Sequence, residues 1–195
     1  MSTYKVYNNI AEEGIKCLSD SGFKEDTTNP EALLLRSHTI DESDFNESLR
    51  CICRAGAGVN HIPINMATER GVVVFNTPGG NANAVKELVI CGLLLSSRGI
   101  IQGHTFTQGL NSKNSTDLTN LVENNKKRFK GSELKGKTIG IIGLGSIGSL
   151  LAQAVESMGM KIIGYDPNIS IDSAWQLPKD VEKAEDLKYL LSNSD

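Results

Sequence analysis

The sequence lacks the features that mark a membrane, secreted or nucleic-acid-binding protein. Its 20 basic and 23 acidic residues leave a formal net charge of −3, so no excess of positive charge attracts nucleic acid or an anionic membrane. The opening MSTYKVYNNIAEEG has no apolar run long enough for a signal peptide, and no later stretch approaches the length of a membrane span. We therefore expect a cytoplasmic protein with neither nucleic acid nor a membrane as partner.

The cysteine pattern gives no sign of a metal site or a redox pair. Cys17, Cys51, Cys53 and Cys91 include no C-x-x-C spacing. Cys51 and Cys53 are two apart, which directs both thiols to one face of a strand. We expect four buried, reduced thiols and no bound metal.

The composition is that of an ordinary globular protein. Hydrophobic residues make up 39% of the chain and charged residues 22%, which argues against disorder, collagen and coiled coil. The length of 195 residues allows one large domain or two small ones.

Short apolar runs alternate with helical patterns in the first half of the chain. Strands are predicted at 4–7, 32–35, 51–54 and 72–75, and helices at 11–19, 63–70 and 83–98. Such alternation is typical of a parallel, doubly wound sheet that is covered on both faces.

A polar connector divides the chain into two lobes. Between Gly99 and Glu133 the sequence is rich in Asn, Ser, Thr, Lys and Gly, with one helix predicted near 116–127. The predicted organisation is therefore a first lobe at 1–98, a connector at 99–133 and a second lobe at 134–195.

A glycine-rich motif opens the second lobe. The buried-strand pattern KTIGII at 137–142 leads directly into Gly143-Leu144-Gly145-Ser146-Ile147-Gly148, and a helix is predicted at 149–158. Gly143 would allow the tight turn, Gly145 the approach of a pyrophosphate to the backbone, and Gly148 close packing of the helix. Free N–H groups at the helix start would then hold phosphates without a cation.

An acidic residue stands where such a motif needs one. The next predicted strand, 161–165, ends at Asp166, 18 residues beyond Gly148, where a carboxylate accepts hydrogen bonds from a ribose. The carboxylate would repel a 2′-phosphate, so a Rossmann lobe that binds NAD rather than NADP is predicted. The alternative is a glycine-rich turn with an unrelated surface aspartate.

Three strand ends in the first lobe carry residues suited to an anionic ligand. Arg36 and Ser37 follow one strand, the run Ala55 to Asn60 follows a second, and the run Asn76 to Asn81 follows a third. Open parallel sheets bind ligands at this end of their strands. The alternatives are a solvated arginine and ordinary turns. His38, His61 and His104 show no paired acid and are expected to be surface or structural residues, and Trp175 is expected to pack in a core.

These motifs together resemble the D-isomer-specific 2-hydroxyacid dehydrogenases, and most closely the short form of the branch that oxidises D-3-phosphoglycerate to 3-phosphohydroxypyruvate in serine biosynthesis. The residues that carry the resemblance follow the family's order: Leu35-Arg36-Ser37, Arg54 to Asn60, Val74 to Pro78, Asn81, Val85 to Leu88, Leu134 to Thr138, the glycine loop, and Gly164 to Pro167. The implied fold is α/β, with a flavodoxin-like parallel-sheet substrate lobe followed by an incomplete Rossmann NAD-binding lobe.

The resemblance implies a role for each motif residue. Arg36 and Ser37 would bind the substrate phosphate, while the Gly56-Ala57-Gly58 backbone and Asn81 would contact the rest of the substrate. The residues implied for NAD are Thr77 at the nicotinamide, Ser146 and Ile147 at the pyrophosphate, and Asp166 at the ribose. Gly143, Gly145 and Gly148 would form the cofactor-binding loop itself.

The resemblance also implies a phosphorylated 2-hydroxy acid as substrate and a homodimer formed through residues 99–129. The family's catalytic arginine, glutamate and histidine lie beyond Asp195 in this order, so no catalytic residue is assigned and the chain alone is expected to be inactive. Two alternatives remain: a dehydrogenase for another D-2-hydroxy acid, and a non-catalytic NAD-binding or assembly module.

Overall fold

The computed structural model describes residues 2–8, 10–110 and 115–195. Internal contacts divide the chain into two compact units, Met1–Asn81 and Ala82–Asp195. The first unit contains β1 (Thr3–Tyr7), α1 (Glu12–Asp20), β2 (Lys24–Glu25), β3 (Ala32–Leu35), β4 (Cys51–Arg54), α2 (Ile64–Glu69) and β5 (Val73–Phe75). The second contains α3 (Ala82–Ser97), α4 (Ile100–Gln108), α5 (Ser115–Asn125), β6 (Thr138–Ile142), α6 (Ser146–Ser157), β7 (Lys161–Tyr165), α7 (Ile171–Trp175), β8 (Glu182–Lys183) and α8 (Leu187–Ser192).

The first unit is built on a parallel sheet with strand order β2-β1-β3-β4-β5. This order is the flavodoxin-like arrangement, so the predicted fold of the first lobe is confirmed. Leu33 and Ile52 are opposite each other in the register, and both are almost fully buried. Leu33 and Ile52 pack with residues of α2 and with Phe45, which directly follows the 3₁₀ helix Glu42–Asp44, and together these residues form the core of the unit.

The register brings three strand ends to the same edge of this sheet. Tyr7 is paired with Leu35, and Leu35 with Arg54, so the residues that follow β1, β3 and β4 leave the sheet side by side. This edge is where parallel sheets bind ligands. The sheet therefore places the Arg36 and Gly56 loops next to each other.

The second unit contains a smaller parallel sheet with strand order β6-β7-β8. This is one half of the Rossmann arrangement, with the first strand at one side and the third at the other. Helix α6 buries Leu151, Ala152 and Val155 against Ile141 and Ile162 of the sheet. On the other side of β6, Asp195 donates its N–H to the Thr138 carbonyl at 2.9 Å.

Helix α3 belongs with the second unit by its contacts. Its residues Val89, Ile90 and Leu93 pack on the core formed by β6, α6 and β7. The sequence predicted this helix at 83–98 but grouped it with the first lobe, whereas the compact units divide at Asn81 and Ala82. The domain bounds 1–98, 99–133 and 134–195 stay a prediction.

Several short elements were not predicted. The connector contains α4 in addition to α5, and the second unit has a third strand and two further helices, α7 and α8. Trp175 is 84% exposed, so the prediction that it packs in a core is wrong. Residues 111–114 of the predicted connector lie outside the described residues. Among the helices that the structure describes, none combines the length and the apolar character needed to cross a bilayer.

Candidate functional site

The glycine motif forms the junction between β6 and α6. Gly143 follows β6 with a φ of +88°, a backbone conformation that strongly favours glycine, and its N–H donates to the Tyr165 carbonyl at 2.8 Å. Gly145 is the N-cap of α6, and no side chain caps the helix there. The chain therefore turns sharply from the strand into the helix.

Two glycines of the motif have opposite surroundings. A Cβ on Gly148 would lie 2.0 Å from the Gly143 carbonyl oxygen, so only glycine fits where α6 meets the turn. A Cβ on Gly145 would meet no atom within 4 Å, so the backbone there faces open space. Gly148 thus allows close packing, and Gly145 leaves room for a ligand.

The start of α6 can hold an anion. The first N–H groups of a helix have no partner within the helix, and its dipole favours negative charge at this end. Ser146 and Ile147 stand there and are exposed. A diphosphate fits this arrangement because the open space at Gly145 adjoins these N–H groups.

Asp166 lies at the end of β7 and contacts the glycine loop directly. One carboxylate oxygen accepts the Leu144 N–H at 2.8 Å, and the other accepts the Asn168 N–H at 2.9 Å. Each carboxylate oxygen can accept a second hydrogen bond, so capacity for ribose hydroxyls remains. The sequence anticipated an acid beside this loop but not that it also holds the loop in place.

In the first unit, Arg36 and Ser37 leave β3 as exposed residues. Their backbone N–H groups donate to Oδ1 of Asn8, at 3.3 and 3.1 Å, and the His38 N–H donates to the same oxygen at 3.0 Å. The side chains of Arg36 and Ser37 are therefore presented on a turn whose backbone donors are already used.

The glycine run after β4 is packed around Arg54. A Cβ on Gly58 would lie 2.9 Å from an Arg54 guanidinium nitrogen, and Arg54 Nε donates to the Arg36 carbonyl at 3.2 Å. The Gly56 N–H donates to the Arg54 carbonyl at 3.0 Å, so it is engaged within the turn. Arg54 thus connects the loops after β3 and β4.

Residues that follow β5 form hydrogen bonds with the glycine run that follows β4. Asn76 Nδ2 donates to the Ala57 carbonyl at 2.8 Å, and the Thr77 N–H donates to the Gly56 carbonyl at 3.0 Å. Asn81 is exposed at the end of this unit. The structure therefore gathers the loops after β3, β4 and β5 at one sheet edge, as predicted.

His38 has an acidic partner that the sequence did not reveal. Its Nε2 lies 3.7 Å from a carboxylate oxygen of Asp44, and its ring stacks on Tyr7 with ring centres 4.0 Å apart. Tyr7 donates its hydroxyl hydrogen to the other oxygen of Asp44. Burial and this hydrogen bond raise the pKa of Tyr7 above its ordinary value.

The expectation of four buried thiols is wrong. Cys17 and Cys91 are exposed, and Cys51 and Cys53 are half-buried, although all four are free. A hydrogen bond between the two strand thiols lowers the pKa of Cys51 to about 7 and raises that of Cys53. Within the described part of the chain, no three metal-ligating side chains come together.

Comparison with known proteins identifies the family. The profile described as the D-isomer specific 2-hydroxyacid dehydrogenase catalytic domain matches residues 6–174. The D-3-phosphoglycerate dehydrogenase of Methanocaldococcus jannaschii is 34% identical over 97% of this chain. The human D-3-phosphoglycerate dehydrogenase is 40% identical over 72% of it. The chain spans 36% of the length of the first relative and 25% of the second.

Solved structures agree with this result. The crystal structure of NAD⁺-bound 3-phosphoglycerate dehydrogenase from Entamoeba histolytica is 26% identical, with a TM-score of 0.70, and the match covers 99% of this chain and 60% of that one. A Thermus thermophilus protein that is 22% identical has the same fold, with a TM-score of 0.77 over 99% of this chain and 62% of that one. The chain belongs to the D-isomer-specific 2-hydroxyacid dehydrogenase family.

Proposed function

We propose that this chain supplies the NAD-binding loop and part of the substrate site of an enzyme that oxidises D-3-phosphoglycerate to 3-phosphohydroxypyruvate. The observation that carries the proposal is the β6–α6 junction, where Gly145 faces open space and Asp166 contacts the same loop. A diphosphate beside that helix start and a ribose beside that carboxylate are the two halves of a dinucleotide site.

NAD is the proposed cofactor. Asp166 is half-buried, and the residues that follow it include no cation before Lys179, so a 2′-phosphate would meet a carboxylate without a neutralising neighbour in sequence. The NAD⁺-bound structure of 3-phosphoglycerate dehydrogenase from Entamoeba histolytica supports the same choice.

The proposed substrate is a phosphorylated 2-hydroxy acid. The guanidinium of Arg36 and the hydroxyl of Ser37 suit a phosphate, since both donate hydrogen bonds and one carries positive charge. Both side chains are exposed on a turn that Asn8 and Arg54 fix. The Gly56-Ala57-Gly58 run and Asn81 complete the proposed set of substrate-binding residues, and Thr77 is proposed to face the nicotinamide. Relatives named D-3-phosphoglycerate dehydrogenase support this substrate class.

In the proposed reaction, NAD held by the glycine loop and Asp166 would supply the acceptor for a hydride from C2 of the substrate, and the C2 hydroxyl proton would pass to a base. The residues of this chain bind the substrate and the cofactor and orient them toward each other. Arg36 and Ser37 anchor the phosphate, while the glycine loop and Asp166 set the position of the nucleotide. We assign the base to none of the described residues, and the 195-residue chain alone is expected to be inactive.

Saturation-transfer NMR on the purified chain tests the proposal. We expect signals from NAD and 3-phosphoglycerate, and weaker ones from D-glycerate and D-lactate, because these lack the phosphate. Equal signals from D-lactate would favour a dehydrogenase for another 2-hydroxy acid. NAD binding without any hydroxy-acid signal would favour a non-catalytic NAD-binding module. Sustained NAD reduction with 3-phosphoglycerate would contradict the expected inactivity.

We also propose that the chain forms a homodimer through the helices of the connector. Ile100 and Ile101 at the start of α4 are at least half exposed, and Leu121 and Val122 of α5 are 41% and 38% exposed. Exposed apolar side chains of this kind are candidates for an interface. Sedimentation equilibrium tests this: a dimer is expected, and a Leu121→Asp, Val122→Asp variant should shift the protein toward monomer.

A further inference from the structure

Asn8 occupies an unusual backbone conformation at the edge where the proposed substrate phosphate binds. It follows β1 with a φ of +61°, the one positive φ of a non-glycine residue in the described chain. Asparagine tolerates this left-handed conformation better than most residues, because its short polar side chain can bond locally. Here the side chain instead reaches residues 28 to 30 positions away.

The Asn8 side chain gathers three successive backbone donors. Its Oδ1 accepts the N–H groups of Arg36, Ser37 and His38 at 3.3, 3.1 and 3.0 Å. Consecutive N–H groups that converge in this way form a concavity suited to an anion. A neutral amide oxygen fills that concavity, so an arriving phosphate meets the side chains of Arg36 and Ser37 and not the backbone.

Two further contacts fix the same turn. Arg54, the last residue of β4, donates from Nε to the Arg36 carbonyl at 3.2 Å, and this bond fixes the Arg36 peptide relative to β4. The His38 ring lies flat on Tyr7, with an angle of 1° between the ring planes, which holds the turn from β1. Each of these two contacts fixes one residue of the turn, whereas the Asn8 side chain binds the backbone of all three residues, 36–38.

We propose that Asn8 is a positioning residue for the substrate phosphate. By holding the backbone of residues 36–38, it directs the Arg36 guanidinium and the Ser37 hydroxyl toward the ligand. This rests on the proposed function, in which those two side chains bind the phosphate. The neutral carboxamide matters as well, because an aspartate at this position would compete with the phosphate for the positive charge of Arg36.

Three variants separate positioning from general stability. Asn8→Gly keeps access to the positive φ and removes the acceptor. Asn8→Asp keeps an acceptor and adds a charge. Asn46→Gly is the matched control, because Asn46 also fixes a loop through its side chain, donating to the Pro30 carbonyl at 3.1 Å and accepting the Ser48 N–H at 2.7 Å, but at the other end of β3.

The measurement is an NMR titration of the ¹⁵N-labelled 195-residue chain with 3-phosphoglycerate and with D-glycerate, together with amide hydrogen exchange. The ratio of the two affinities reports phosphate binding alone. In Asn8→Gly we expect this ratio to fall about tenfold and the amides of residues 36–38 to exchange faster. In Asn8→Asp the amides should stay protected while the ratio falls. In Asn46→Gly the ratio should not change.

Each other result overturns a specific claim. An unchanged ratio in Asn8→Gly overturns the positioning role and leaves the proposed function intact. An equal fall of the affinity ratio in Asn46→Gly also overturns the positioning role, because loosening of any loop in the first unit would then explain the effect. Loss of amide protection in Asn8→Asp overturns the hydrogen-bonding scheme, and this variant serves if Asn8→Gly does not fold. A wild-type chain without preference for the phosphorylated ligand overturns the proposed function and this inference with it.

Discussion

Replacing Gly148 with alanine would place a methyl carbon 2.0 Å from the carbonyl oxygen of Gly143 and 3.0 Å from its carbonyl carbon. An ordinary contact begins near 3.4 Å, so the new group lies about 1.4 Å too close to backbone that cannot rotate away. Helix α6 and the glycine turn must therefore separate. Overpacking of this kind costs roughly 1–3 kcal/mol, and a clash with backbone belongs at the upper end.

Urea unfolding measures this cost. We expect the free energy of unfolding of Gly148→Ala to fall by about 3 kcal/mol. Its NAD affinity should fall as well, by about tenfold or more, because the N–H groups at the helix start no longer aim at one point.

Gly145→Ala is the matched variant in the same loop. A Cβ there meets no atom within 4 Å, so the free energy of unfolding should change by less than about 0.5 kcal/mol. Its methyl group would enter the space proposed for the pyrophosphate, so NAD affinity should still fall. Unchanged stability in Gly148→Ala, or unchanged NAD affinity in Gly145→Ala, would refute the reasoning.

Three other expectations concern single groups. Arg36→Ala should weaken 3-phosphoglycerate binding about tenfold to a hundredfold and leave D-glycerate binding unchanged, as measured by NMR titration. Hydrogen bonds from Ser43 hold the pKa of Asp41 below its ordinary value, so the stability that Asp41 contributes is present above about pH 4 and is lost as pH falls through its folded pKa. The difference in urea unfolding free energy between wild type and Asp41→Asn should therefore shrink as the pH falls below about 4, and a constant difference would contradict this. With a pKa of about 7, Cys51 should react with iodoacetamide faster than an ordinary thiol at neutral pH, and Cys53→Ala should slow that reaction, as followed by peptide mass spectrometry.

The parts of the fold that the sequence predicted depend on local patterns. Apolar runs with turn residues between them located the four main strands of the first unit, and the glycine spacing located the β6–α6 junction. Strand β8 has two residues and helix α7 has five, and segments this short do not show a periodic pattern of apolar residues in the sequence. Trp175 was misjudged because a large apolar side chain in a short helix carries no signal of which side faces solvent.

The parts of the candidate site that the sequence missed depend on contacts between distant residues. Asn8 meets Ser37 across 29 positions, and Tyr7 meets Asp44 across 37. Only the parallel register of β1 and β3 brings these residues together. Arg54 did have a local signal, since it stands at a strand end directly before a glycine run, where an arginine can pack beneath the turn.

The central claim is that the glycine loop and Asp166 together form a site for NAD. Calorimetric titration of the 195-residue chain with NAD and with NADP tests it most directly. NAD should bind, and NADP should bind more weakly. In Asp166→Asn the difference between the two affinities should become smaller, because no carboxylate repels the 2′-phosphate. An absence of NAD binding, or NADP binding as tight as NAD binding, would contradict the account.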